Sequence, residues 1–224
     1  MMDESFRCFR ETLLHIQFEA NQTLAANSVT IPSWQAVVEF LDNYSIVTVE
    51  DLRAAVMDQL SNFQREIRGS EYNYWRNFFD NNERVDENRC SEEIASRLAP
   101  VFARQGVAVN IERMTVNRNR CDITFTKTFQ GRSISLFVEV KGQWHKDLCT
   151  AATEQLHKRY LCHPDAADQG VYLVLWFGRS EMVAGRRKHK FASAEDLGLH
   201  LSNELPDSLK GKIDVVVLDV SKPD

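Results

Sequence analysis

Between residues 122 and 141 the chain carries an aspartate, a glutamate and a lysine whose spacing permits phosphate-ester chemistry. Asp122 stands in "CDITFTKTF", and Glu139 and Lys141 stand in "SLFVEVKGQWH", two β-favouring runs separated by "QGR". Only Val140 separates Glu139 from Lys141, so on an extended strand their side chains share one face. A hairpin through Gly131 sets Asp122 nine residues before the turn and Glu139 eight after it, nearly opposite each other. Two carboxylates and an ammonium at one sheet edge suit a hard cation. Mg²⁺ (or Mn²⁺) takes oxygen ligands, keeps several waters, and is held by one or two carboxylates plus substrate phosphate. Such an ion polarises a scissile phosphate and acidifies a bound water. The lysine then orients or deprotonates that water, or stabilises charge developing on phosphorus. The bland counterpart is a strand-end ion pair, worth little when exposed.

The elements that must position these residues follow from periodicity. Up to about residue 80 the pattern is helical, with apolar residues at three- and four-residue steps in "FRCFRETLLHIQFEA", "IPSWQAVVEFLDNY" and "TVEDLRAAVMDQLSNFQREI". Thr48 is placed to cap the last of these, which presents Leu52, Val56, Leu60, Phe63 and Ile67. The polar, turn-rich "DNNERVDEN" predicts a boundary, dividing the chain into a helical domain over 1–82 and a second domain over 83–224. That second part reads as helix, three strands, helix, strand, helix, strand. The order predicts an α/β fold with a mixed central sheet and helices packed on it.

Composition excludes some roles. The net charge of −5 argues against coating nucleic acid by bulk electrostatics, but it is uneven. Residues 1–85 hold 7 Lys/Arg against 13 Asp/Glu, and residues 86–224 hold 20 against 19. The second part is therefore where a phosphate-facing surface is expected. No apolar run reaches the roughly eighteen residues of a membrane helix, and the acidic N-terminus lacks a signal-like core. Five cysteines without a CxxC pair read as free thiols in a reducing cytoplasm.

Together, "CDI" and "FVEVKG" resemble the signature of the PD-(D/E)XK nuclease superfamily, and the order of elements resembles its restriction-endonuclease-like αβββαβ core. The words "VEVKGQWH", "TAATEQLHKRYL" and "GVYLVLWF" further resemble a bacterial branch whose domains accompany ATPases or anti-phage defence proteins. The resemblance spans roughly 86–180. It implies metal-dependent phosphodiester hydrolysis, with DNA as the expected substrate. Asp122, Glu139 and the Val140 carbonyl would hold the ion, and Lys141 would serve the attacking water. Many members add to the metal site an acid from the first core helix. Among Glu87, Glu92 and Glu93, helical phase puts Glu87 nearest the sheet-facing side with Ile94, provided the helix begins that early.

Several members also carry Gln-x-x-x-Tyr on the helix after the lysine. Here Tyr160 follows Gln155 by five residues, so on an α-helix Arg159, not Tyr160, lies beside Gln155. Gln155 is expected to assist catalysis, Arg159 to contact phosphate and Tyr160 to pack. Arg120, Trp144, His145 and the basic loop with Arg186, Arg187 and Lys188 complete the expected nucleic-acid contacts.

Other readings stand beside this one. The fold could be an inactive nucleic-acid-binding or assembly module, or an RNase. His145, Cys149, His157, Cys162 and His163 form a conceivable zinc set, but with no familiar ligand spacing. The acidic helical part is expected to dock a partner protein, an ATPase or sensor that licenses cleavage, and a homo-oligomer is compatible with the sequence.

Overall fold

The computed structural model describes residues 46–69, 71–114, 120–129 and 131–223, with a few helical positions between 13 and 20. The chain divides into two units, Met1–Ser45 and Ile46–Asp224. The two N-terminal helices expected from the sequence lie almost wholly outside the described residues. The fold that follows is that of the second unit.

Helix α1 (Val49–Gly69) opens on a reciprocal cap. Thr48 Oγ1 accepts the Asp51 N–H at 3.1 Å, and Asp51 Oδ2 accepts the Thr48 N–H at 2.9 Å. Val49, Leu52, Val56, Leu60, Phe63 and Ile67 form its buried stripe. A short helical turn (Tyr74–Phe78) leads into the hairpin β1 (Phe79–Asp80) and β2 (Glu83–Arg84). Asn81 and Asn82 make its turn with φ of 46° and 68°, the left-handed backbone that two-residue hairpins require. Helix α2 (Glu87–Ala103) starts directly after it, capped by Asp86, whose side chain accepts the Arg89 N–H.

Strands β3 (Ala108–Met114), β4 (Arg120–Phe129) and β5 (Arg132–Gly142) form an antiparallel meander. Helix α3 (Ala152–Leu161), wound with the five-residue step of a π-helix, crosses to β6 (Gly170–Trp176). Helix α4 (Ala194–Glu204) then crosses to β7 (Ile213–Asp219). The sheet order is β3-β4-β5-β6-β7, antiparallel as far as β5 and parallel beyond it. The protein is thus α/β with a five-stranded mixed sheet.

Each sheet face carries its own core. Ile123, Phe125, Leu136, Val138, Val140, Leu173 and Leu175 join α1 and α2 on one side. Phe137, Tyr172, Val174 and Trp176 join α3 and α4 on the other. The alternation follows from the strand period of two, and puts Glu139 and Lys141 on the α3 side with Phe137.

The expected division at residue 82 moves to residue 45. The stretch "DNNERVDEN" is a hairpin turn followed by a helix cap, not a linker, and α1 shares one core with the sheet. Turn-forming residues mark a change of chain direction, which need not be a change of domain.

Candidate active site

The β4–β5 register fixes the meeting of the acids. The ladder runs from Phe129 opposite Arg132 to Ile123 opposite Val138, so one step further Asp122 faces Glu139. There the ladder ends, and the Asp122 carboxylate takes over. Its Oδ2 accepts the Val140 N–H at 2.7 Å. Lys141 Nζ donates to Glu139 Oε1 at 2.7 Å and to the Val140 carbonyl at 3.1 Å, and lies 4.0 Å from Asp122 Oδ2.

The fourth member comes from α2. Because Asp86 caps that helix, Glu87 is its first residue, which meets the condition that the helix begin that early. Glu87 Oε1 accepts the Gly142 N–H at 2.9 Å and its Oε2 is 3.9 Å from Lys141 Nζ. Glu93 instead accepts from Asn77, and Glu92 is exposed. Three carboxylates thus surround one ammonium.

Burial makes this arrangement costly. Glu139 is 2% exposed and its Oε2 has no hydrogen-bond partner. Burial, and then the negative charge of Asp122, push its carboxyl up to about 7, against the pull of Lys141 and Arg159. The Lys141 ammonium loses solvation to burial, but the charges of Glu139 and Asp122 outweigh that and raise its pKa. A packed ion pair made only for stability would satisfy both oxygens of its acid.

The rest of "VEVKGQWH" builds the frame. Gln143 is fully buried. Its Oε1 accepts the Phe177 N–H at 2.6 Å and its Nε2 donates to the Gly178 carbonyl at 3.1 Å, joining the ends of β5 and β6. The Trp144 ring lies across Gly142, where an added Cβ would fall 2.3 Å from it. Arg84 covers Trp144 at 3.5 Å, and Phe177 packs against it edge-on at 5.2 Å. Trp144 is therefore a packed wall, with a face already covered by Arg84, rather than an open stacking platform for a base. His145 Nδ1 accepts the Asp147 N–H and caps a turn, while its side borders a small cavity with Arg84, Glu87 and Trp144.

Helix α3 is wound as a π-helix rather than the α-helix expected. The hydrogen bonds of this helix span five residues, but its period stays nearer four, so Arg159 rather than Tyr160 remains beside Gln155. Tyr160 does pack, stacked on Phe137 at 6.0 Å. It also feels the acids: after burial, the charge of Glu139 raises its hydroxyl pKa. Arg159 is exposed yet close enough for its charge to act on Glu139. Gln155 is half-buried on the same helix. Arg120 begins β4, and its side chain lies outside the described residues.

The basic loop stands apart from the acids. Arg186 and Lys188 line a different cavity, of about 740 Å³, and Arg187 is exposed. The loop still attaches to the motif, since Gly185 N–H donates to the Trp144 carbonyl and Ala184 N–H to that of Gln143. Among the described residues the conceivable zinc set is not assembled. His145 and His163 cap turns, His157 pairs with Asp168, and only Cys149 enters a cluster, with His200 and Glu204.

What fold and site define is an α/β protein with an acidic cluster gathered on a lysine at the point where the sheet changes from antiparallel to parallel. Residues 52–179, more than half of the chain, match the model of a family described as a domain of unknown function, DUF8371, and the chain belongs to that family. The match runs from α1 to just beyond β6 and includes Glu87, Asp122, Glu139 and Lys141. No curated protein and no solved structure gives a significant match.

Proposed function

We propose that this chain is a metal-dependent nuclease of the PD-(D/E)XK type, with a restriction-endonuclease-like core, that hydrolyses phosphodiester bonds in DNA. One observation carries the reading: Glu87, Asp122 and Glu139 gather on the Lys141 ammonium, and Glu139 keeps a buried oxygen without a partner. The donors are all oxygens, which suits Mg²⁺ or Mn²⁺. The carboxylates gather round the lysine. Among the described residues the one group of three His, Cys, Asp or Glu ligands within 4.8 Å lies elsewhere. Two carboxylates and a carbonyl are nevertheless enough for an ion that completes its shell with water and phosphate. Asp122, Glu139 and the Val140 carbonyl fit that part, while Glu87, committed to the Gly142 N–H, orients the end of β5.

When bound, the ion would polarise the phosphate and acidify a water. Lys141 keeps its proton, because the surrounding acids raise its pKa. It therefore serves as a donor that orients the water and stabilises charge on the phosphate oxygens, rather than as the base. Arg159 and Gln155 on α3 flank the acids and supply contacts to the substrate strand. A defence role under the control of a partner ATPase or sensor follows from the resemblance, and co-purification from the native host tests it.

The direct test offers purified protein supercoiled plasmid DNA and single-stranded RNA in parallel, with Mg²⁺, Mn²⁺ or EDTA. EDTA-sensitive DNA cleavage, lost by roughly 100-fold or more in Lys141→Ala with unchanged folding, is the expected result. DNA binding without cleavage would assign an inactive module, and cleavage of RNA alone an RNase. Undiminished nicking by Lys141→Ala would overturn the assignment of that residue.

A further inference from the structure

Away from the acidic cluster, Cys149, His200 and Glu204 bring a thiol, an imidazole and a carboxylate together, one ligand atom of each within 4.8 Å of the others. His200 and Glu204 are one turn apart on α4, with His200 Nε2 3.2 Å from Glu204 Oε1. Cys149 comes from the turn that follows β5. All three line the cavity of about 740 Å³, together with Lys146, Arg186 and Lys188. His189 lines it too, and its Nδ1 is buried without a hydrogen-bond partner.

We propose that Cys149, His200 and Glu204 form a second metal site, for a borderline dication of the Zn²⁺ class. A thiolate and an imidazole select such an ion over Mg²⁺, which prefers an all-oxygen shell. Binding replaces the thiol proton with the ion and releases that proton to solvent, leaving a thiolate and a carboxylate bridged by positive charge. Three protein ligands leave a fourth position, which opens on the cavity and its lysine and arginine side chains. Water, hydroxide or an anion would fill it.

The consequence is mechanical. The ion would tie α4 to the turn carrying Cys149, which is the continuation of the strand that ends on Lys141 and Gly142. It would thereby hold the exit of β5 in place from the side opposite Glu87.

The test is spectroscopic and independent of nuclease activity. The full chain, stripped with EDTA, is titrated with Co²⁺ and read for thiolate-to-cobalt charge transfer in the near ultraviolet, followed by displacement with Zn²⁺. The expected result is one equivalent of Co²⁺ with that absorbance, abolished in Cys149→Ser and weakened in both His200→Ala and Glu204→Gln. Lys141→Ala should leave it intact, so a failure of the nuclease reading is distinguishable from a failure of this one. Thermal melts verify folding of each variant; should His200→Ala unfold, the exposed Glu204→Gln carries the comparison. Absence of the band in the wild-type chain, or a band unchanged by loss of His200 or Glu204, would overturn the site.

Discussion

Replacing Glu139 with glutamine separates a metal-ligand reading from an ordinary ion pair, because the two predict opposite signs. In the folded protein the Glu139 carboxyl is raised from 4.5 to about 7. A carboxyl whose folded pKa is raised contributes most below its unfolded value, and that contribution is lost as pH climbs through the folded value. Stability should therefore fall between about pH 4.5 and pH 7, by about 3 kcal/mol in all once Glu139 is ionised. Glutamine resembles the protonated acid and escapes this loss. Its carbonyl can still accept from Lys141, whose charge keeps Asp122 at 4.0 Å and Glu87 at 3.9 Å. Glu139→Gln should thus be as stable as wild type near pH 4.5 and more stable at pH 8, by up to about 3 kcal/mol. That is a rise in Tm of roughly 6–12 °C for a domain of this size. Denaturant melts at a series of pH values, free of divalent cations, measure it. Metal-dependent cleavage should be lost in the same variant, the exchange of function for stability expected where an acid is held in a strained site. If Glu139→Gln is destabilised at pH 8, the Lys141–Glu139 contact is a stabilising structural pair and the argument from electrostatic strain is wrong.

Two further outcomes follow from the same geometry. Magnesium at ten times its Kd should stabilise the wild-type chain by about 1.4 kcal/mol through mass action, and Asp122→Asn should lose that shift in a thermal melt with and without the ion. Gly142→Ala drives a methyl to 2.3 Å from a Trp144 ring that Arg84 and Phe177 hold in place, so it should cost about 3 kcal/mol. Combining it with Trp144→Leu should recover part of that loss, and a double-mutant cycle that shows no coupling would refute the contact as the cause.

What could be read in advance divides by the range of the interaction. The Asp122–Glu139 meeting was legible because it depends on one local turn: counting outward from Gly131 gives the register, and the register gives the face. Glu87 was legible only conditionally, since its reach depends on where α2 begins. That is settled by a single side-chain contact from Asp86 to the Arg89 N–H, and several neighbouring acids and amides look equally able to cap. The division of the chain was misplaced because Asn81 and Asn82 advertise a left-handed turn without saying whether the chain folds back onto the same core.

The two features that sequence reasoning could not reach fail for different reasons. The sequence argument for α3 assumed an α-helix, and the segment instead carries the five-residue hydrogen bonds of a π-helix, although Tyr160 packs as expected. No residue between Ala152 and Leu161 signals that winding, in a segment that packs across β5 and β6. The local period of a helix is set by propensity only when packing leaves it free, and a helix laid over β5 and β6 is not free. The meeting of Cys149 with His200 and Glu204 is the opposite case: the spacing of His200 and Glu204 is regular and visible, but Cys149 comes from the turn after β5, far away in sequence. The strand that carries Glu139 and Lys141 belongs at once to a local hairpin, which sequence can count, and to a parallel pair, whose neighbours only the folded chain reveals.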